Sequence, residues 1–155
     1  MSRKGQSTMT KILQFGEIAA GEEYVDRPGS YAIIKKDEKI LLVKIIGWGK
    51  YFLPGGGIDE GEDGIEALHR EAGEETGFLI DIVEKVGNAN QYVYSPGVGM
   101  FINKVSEYYT ARIIGENPAL KTEDDHQPEW HYQEEAIKLL YLKSDQWALR
   151  EAIQK

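Results

Sequence analysis

Between Asp59 and Glu75 the chain carries eight acidic residues and one arginine, Arg70, in a stretch whose apolar residues recur at helical spacing. Ile65, Leu68, Ala72 and Thr76 stand three and four apart, which predicts a helix from about Glu62 to Thr76 with one buried face. Gly77 follows, where a left-handed cap would end that helix. Glu71, Glu74 and Glu75 sit at i, i+3 and i+4, so they fall within an arc of roughly 100°. That arc lies beside the apolar stripe, not opposite it. Like charges at those spacings repel by ~0.2–0.5 kcal/mol per pair, and the macrodipole disfavours them near a helix C-terminus. Stability alone gives no reason to put three carboxylates there. A solvated acidic face is one reading; a hard divalent cation is the other. Mg²⁺ takes oxygen ligands at about 2.0–2.1 Å and keeps positions open for waters and phosphates.

The flanks read as strands. Ser30–Lys36 and Lys39–Ile46 are β-rich runs around Asp37-Glu38, which predicts a hairpin. Gly47-Trp48-Gly49-Lys50 reads as a loop and not a phosphate cradle, since no Walker pattern is present. The short run Tyr51-Phe52-Leu53 ends in a turn at Pro54-Gly55-Gly56-Gly57. Beyond the acidic helix, Leu79–Val86, Gln91–Tyr94 and Phe101–Ile114 are expected as strands, with a polar loop over residues 116–128 and a short strand near Trp130–Tyr132. Gln133–Tyr141 and Ser144–Ile153 are expected as helices, the second with Ser144 as its N-cap. Strands, a helix, more strands and terminal helices predict an α/β (α+β) chain with helices on the faces of a mixed sheet.

Charge and composition exclude several functions. Asp and Glu number 26 against 18 Lys and Arg, a net charge of −8. That argues against a nucleic-acid polymer as partner, and a phosphate-bearing small molecule would need a cation to bridge it to this surface. With no cysteine, disulfides, Cys-ligated zinc, iron–sulfur clusters and thiol catalysis are excluded. No apolar run approaches the roughly 20 residues of a membrane span. No EF-hand spacing is present either. The expectation is a flexible tail over residues 1–10, one domain over residues 11–155, and a cytoplasmic location with no membrane partner.

Gly56–Phe78 reads GGIDEGEDGIEALHREAGEETGF. This resembles the Nudix box, G-x5-E-x7-R-E-U-x-E-E-x-G-U, where U is a bulky apolar residue. Gly56, Glu62, Arg70, Glu71, Glu74, Glu75 and Gly77 occupy all seven fixed positions, a coincidence of about 10⁻⁸ at average residue frequencies. Ala72, smaller than the usual residue at its U position, is the one mild departure. The resemblance implies a Nudix-type α/β/α sandwich with a mixed β-sheet. It also implies Mg²⁺- or Mn²⁺-dependent hydrolysis of a nucleoside diphosphate linked to another moiety, by in-line attack of water.

Carried over position by position, the resemblance makes Glu71 and Glu75 the principal metal ligands, with Glu74 sharing the cluster and the Gly56 carbonyl adding a further oxygen. It gives Glu62 a supporting place at the loop–helix junction or at a second metal through water, and gives Arg70 the task of orienting the glutamates. The general base would be a box glutamate or an acid on the later loop, where Glu123, Asp124 and Asp125 stand; Glu123 or Asp124 is the expectation. The compact length resembles MutT-like members. Candidate substrates are an NTP or oxidised NTP, a nucleotide sugar, ADP-ribose or a dinucleoside polyphosphate. The alternative is a Nudix-fold sensor that binds a nucleotide without turning it over, although such modules often lose box glutamates and this box is intact. Phe52, Tyr92, Tyr94 and Tyr108 could stack on a base, and Tyr94 and Pro96 fall loosely where some subfamilies carry substrate-associated residues. Packing is the simpler role for each aromatic. His69, His126 and His131 are read as surface or packing residues. The chain is expected as a monomer or a homodimer.

Overall fold

The computed structural model describes residues 12–154. Its strands are β1 (Leu13–Phe15), β2 (Val25–Lys36), β3 (Lys39–Ile45), β4 (Lys50–Phe52), β5 (Gly55–Gly57), β6 (Phe78–Ser95), β7 (Met100–Glu116) and β8 (His126–Tyr132). Its helices are α1 (Gly64–Thr76), α2 (Gln133–Leu139) and α3 (Lys143–Ile153). The expected tail over residues 1–10 lies outside the described residues.

The strands hydrogen-bond in the order β1-β6-β7-β2-β3-β4, with β5 paired to β2 and β8 to β3. β1 runs parallel to β6 and β2 parallel to β7; the remaining pairings are antiparallel. The sheet is therefore mixed, as expected. β2 is its centre, since it pairs with β7 and β3 and also receives β5.

Burial on both faces explains the continuous apolar runs of β2 and β3. Along β2, Tyr31 and Ile33 face one core with Ile40, Leu42, Tyr108 and Leu149, while Ala32 and Ile34 face another with Leu41, Leu68 and Ala72. Strand alternation sends successive residues to opposite faces. The first core is closed by α2 and α3, and the second by α1. A helix layer on each side of the sheet is the α/β/α arrangement. Asp37 and Glu38 both adopt positive φ, 52° and 67°, as a tight two-residue hairpin turn demands.

Several boundaries differ from expectation. α1 begins at Gly64, because Asp63 and Glu66 form a reciprocal capping box that sets its first turn. Ile65 lies outside the buried stripe at 40% exposure, and Ala67 takes the inward position. The two strands expected over Leu79–Val86 and Gln91–Tyr94 are one 18-residue strand, β6. Register shifts at Leu79/Ile80, Ile82/Glu84 and Lys85/Gly87 let it bend without breaking. Ser144 is not an N-cap. α3 begins at Lys143 behind Leu142, without a side-chain cap, and the Ser144 N–H donates to Gln91 Oε1 instead. β8 begins at His126, four residues earlier than expected, because residues 126–132 pair along the whole of β3.

One buried polar junction fixes the helix layer to the sheet. Asp145, 1% exposed in the first turn of α3, accepts hydrogen bonds from the Tyr108 hydroxyl at 2.8 Å and the Leu53 N–H at 3.3 Å. Burial pushes its carboxyl pKa up, against the opposing influence of Lys104 and these two donors. Tyr108→Phe removes one donor and leaves a buried carboxylate oxygen unsatisfied, so chemical denaturation should show a loss of about 1–3 kcal/mol. An unchanged midpoint would mean that the junction does not hold α3.

Candidate active site

The glycines before α1 exist to let its carboxylates reach the sheet. Gly55 has φ 139°, and a Cβ there would collide with the Ser30 carbonyl and Tyr31. Its N–H donates to Glu75 Oε1 at 3.0 Å. A Cβ at Gly56 would land on the Glu71 carboxylate. β5 pairs with β2 through Ser30↔Gly56 and Tyr31↔Gly55, so the centre of the sheet carries this turn. Gly77 closes α1 in the left-handed region at φ 78°.

Arg70 is the hub of the acidic face. Its Nε donates to Glu62 Oε2 at 2.6 Å, Nη1 to Glu74 Oε1 at 3.1 Å and Glu71 Oε2 at 3.3 Å, and Nη2 to Glu62 Oε1 at 2.9 Å and the Gly57 carbonyl at 3.0 Å. One planar guanidinium therefore ties the loop to two turns of helix, which a lysine ammonium cannot do. Glu62 also accepts the Asp59 N–H at 2.8 Å. The Arg70 hydrogen bond and then the Asp59 N–H hold the Glu62 carboxyl down to about 2. Glu62 thus sits at the loop–helix junction.

Glu71 and Glu75 face inward, with side chains 16% and 7% exposed. Burial pushes both carboxyls up, Glu75 far above the ordinary range; repulsion from Glu74 and Glu123 adds to the shift of Glu71, and repulsion from Glu71 and Glu123 to that of Glu75. Glu75 has the Gly55 N–H as a hydrogen-bond donor, while Arg70 is divided among other acids. Buried carboxylates converging without matching positive charge are costly. Hard oxygen donors in that state fit a divalent cation.

The later loop is tied directly to α1. The Glu74 carbonyl accepts the Thr122 and Glu123 N–H groups at 2.9 and 3.0 Å. Lys121 Nζ donates to the Glu123 and His126 carbonyls at 2.7 and 2.8 Å. Glu123, Asp125 and His126 bring ligand atoms within 4.8 Å of one another. Asp124 is exposed at the turn between them. His126 Nε2 lies 3.5 Å from Glu75 Oε2, and its Nδ1 lies 2.8 Å from Asp125 Oδ1.

His126 had been expected as a surface or packing residue, and its place against Glu75 is a feature missed from the sequence. A signal was present in strand alternation. Trp130 packs on the α1 side of the sheet, and two steps of period 2 carry that face back to His126. His69 is exposed, whereas His131 contacts Glu129 at 2.9 Å away from the acidic face.

A cavity of about 550 Å³ adjoins the cluster, with Glu75, Asp125 and His126 in its wall. Phe52, Tyr94 and Pro96 line it, joined by Trp48, Tyr141 and Lys104. Of the other expected aromatics, Tyr92 packs edge-on against Tyr24 at 5.0 Å and Tyr108 is fully buried.

Residues 26–153 match the family model of the NUDIX domain. The chain belongs to the Nudix family, as a Nudix hydrolase. It is similar to the RNA pyrophosphohydrolase of Pelagibacter ubique, with 25% identity over an alignment of 111 positions that covers 64% of this chain and 70% of that protein. Among solved structures it resembles a NUDIX hydrolase from Nitrosomonas europaea, with TM-score 0.69 and 20% identity over 83% of this chain and 89% of that one. It also resembles a MutT NUDIX hydrolase from Burkholderia pseudomallei, with TM-score 0.63 and 25% identity over 81% of this chain and 97% of that one. The family is typically dependent on divalent metal and acts on small nucleotide-derived substrates. Among the described residues no helix is long and apolar enough to cross a membrane.

Arg70→Lys keeps the charge but loses the fork that spans Glu62, Glu74 and the Gly57 carbonyl. Thermal unfolding should reveal a loss of about 2 kcal/mol, the scale of a charge-assisted hydrogen bond. A melting temperature equal to that of the parent would show that charge alone holds the loop.

Proposed function

We propose that this chain hydrolyses a pyrophosphate bond in a nucleoside diphosphate linked to a further moiety, using Mg²⁺ or Mn²⁺ held by Glu71, Glu74, Glu75 and the Gly56 carbonyl. The supporting observation is the buried Glu75 carboxylate, accepting the Gly55 N–H and converging with Glu71 beside an aromatic-walled cavity. Glu71 and Glu75 are the principal ligands because burial leaves them most in need of a cation. Glu74 shares the cluster while engaging Arg70, and the Gly56 carbonyl is carried over from the family pattern alone. A bound divalent cation would draw charge from the phosphate oxygens and acidify a nearby water.

The protein's own groups supply the rest. Glu123 is favoured over Asp124 as general base, because two backbone bonds to the Glu74 carbonyl hold its loop against α1 while Asp124 faces solvent. In this reading Glu123 takes a proton from the water that attacks one phosphorus in line. The bond from that phosphorus to the bridging oxygen breaks, and two phosphorylated fragments leave. Arg70 and Glu62 do not touch substrate; they position Glu71 and Glu74. His126 lies 3.5 Å from Glu75, at the end of a loop that the Thr122 and Glu123 N–H groups tie to the Glu74 carbonyl.

Candidate substrates are NTPs, 8-oxo-dGTP, ADP-ribose, nucleotide sugars and dinucleoside polyphosphates, with a 5′-triphosphate RNA included because of the Pelagibacter relative's name. A product assay across this panel should give Mg²⁺-dependent release of two phosphorylated fragments from at least one compound. Binding without turnover on every compound would replace hydrolysis with nucleotide sensing. Glu75→Gln should lower kcat by ~10² or more, since an anionic ligand would be lost from the cation that stabilises charge on the reacting phosphate. Near-parental rates at saturating Mg²⁺ would remove Glu75 from the ligand set.

A further inference from the structure

Lys104 stands in the cavity wall on β7 without an assigned task. Its ammonium lies 4.7 Å from the centre of the Tyr31 ring and 5.7 Å from that of Phe52. Phe52 belongs to an aromatic group with Trp48 at 5.6 Å and Tyr141 at 5.9 Å, and Tyr94 contributes a further half-exposed ring to the cavity. Such walls suit a flat apolar group.

The lysine carries unspent donors. An ammonium has three donors and no acceptor, and the Tyr31 ring face it lies over is no conventional acceptor. The carboxylates that act on Lys104, Asp145 and Glu75, do so through space; neither forms an ion pair with it among the described residues. Asp145 is already bonded to Tyr108 and Leu53, and Glu75 to Gly55. Burial works against the lysine's charge, yet Tyr31 and these carboxylates keep its pKa above the ordinary value, so it stays a cation.

The geometry points to Lys104 as a specificity-determining residue that reads an oxygen acceptor on a base held in the aromatic cavity, favouring keto bases over amino bases. The proposal rests on the nucleotide reading above. Guanine presents acceptors at O6 and N7 and thymine or uracil at O4, whereas cytosine offers an amino donor at the corresponding edge and adenine an amino donor beside its N7 acceptor. A donor-only ammonium meets a keto oxygen productively and leaves an amino group unpaired. The phosphate chain is the other source of oxygen acceptors. The hydrolytic reading assigns it to the cation that the glutamates would hold, and the aromatic group beside Lys104 favours the base.

Titration calorimetry with GMP, UMP, AMP and CMP on the full chain tests this without turnover. The parent protein should bind GMP and UMP about tenfold more tightly than AMP and CMP, the scale of one good base contact. Lys104→Met should erase that gap, and Lys104→Arg should retain part of it. Absence of a keto preference in the parent would overturn the proposal. So would an equal weakening of all four ligands in Lys104→Met, which would assign the lysine to phosphate. If Lys104→Met fails to fold by circular dichroism, the parent preference and the Lys104→Arg variant decide the matter. Hydrolysis can fail independently: selective monophosphate binding with no Mg²⁺-dependent products would overturn the enzymatic reading and leave the base-selection proposal standing.

Discussion

The hydrogen bond from the Gly55 N–H to the buried Glu75 carboxylate is the constraint on which the rest of the architecture depends. A desolvated carboxylate costs several kcal/mol unless it is matched, so it must have a rigid donor on one side and positive charge available on another. The donor is rigid because β5 is laddered to β2 at Tyr31↔Gly55. β2 is rigid because it is paired on both sides and buried on both faces. The acid is therefore tied to a strand held on both edges and both faces.

The helix that carries the acids is stabilised by means other than its own propensity. Glu71, Glu74 and Glu75 crowd its last two turns, where the dipole opposes them, and no basic residue stands in its last turn to offset them. Compensation comes from elsewhere. Asp63 and Glu66 cap the first turn, Arg70 binds the acids to one another and to the loop, and the Leu68–Ala72 stripe packs under the sheet. These interactions allow an arrangement of like charge that a helix free in solution would not favour. The eight acids of residues 59–75 are thus a local concentration of the chain's −8 charge and not a diffuse surface property.

What the sequence disclosed follows the same physics. The box was legible because its residues are local: glutamates within one helix, an arginine eight residues after its Glu62 partner, and glycines at the turn. The hairpin at Asp37-Glu38 was legible because its pattern is local too. His126 and Lys104 were not. Each reaches the site through strand register, His126 through β8 pairing with β3 and Lys104 through β7 pairing with β2. Strand alternation sets the face each residue takes, but no spacing in the chain announces the partner strand. Ser144 misled for a related reason: its sequence neighbourhood suited a cap, but Gln91, 53 residues away, claimed its N–H. The fused strand β6 also lay beyond local reading, because bulges preserved pairing where the glycine and asparagine residues suggested an interruption.

Tyr31 joins the two halves of the site. Its backbone is the ladder partner of Gly55, which fixes Glu75, and its ring lies beneath the Lys104 ammonium. The same ring packs 5.8 Å from Tyr108, whose hydroxyl donates to Asp145, and Asp145 in turn accepts the Leu53 N–H just before the glycine turn. A closed path therefore runs from the acidic helix through β5, Tyr31, Tyr108, Asp145 and back to the residues leading into β5. Displacing the cavity floor under Lys104 would strain the turn that orients Glu75, since both are borne by one residue. The acidic face and the aromatic cavity consequently share a support. The directional bonds of Tyr108 and Asp145 align two separate surfaces to one strand register, a task that non-directional apolar packing does not perform.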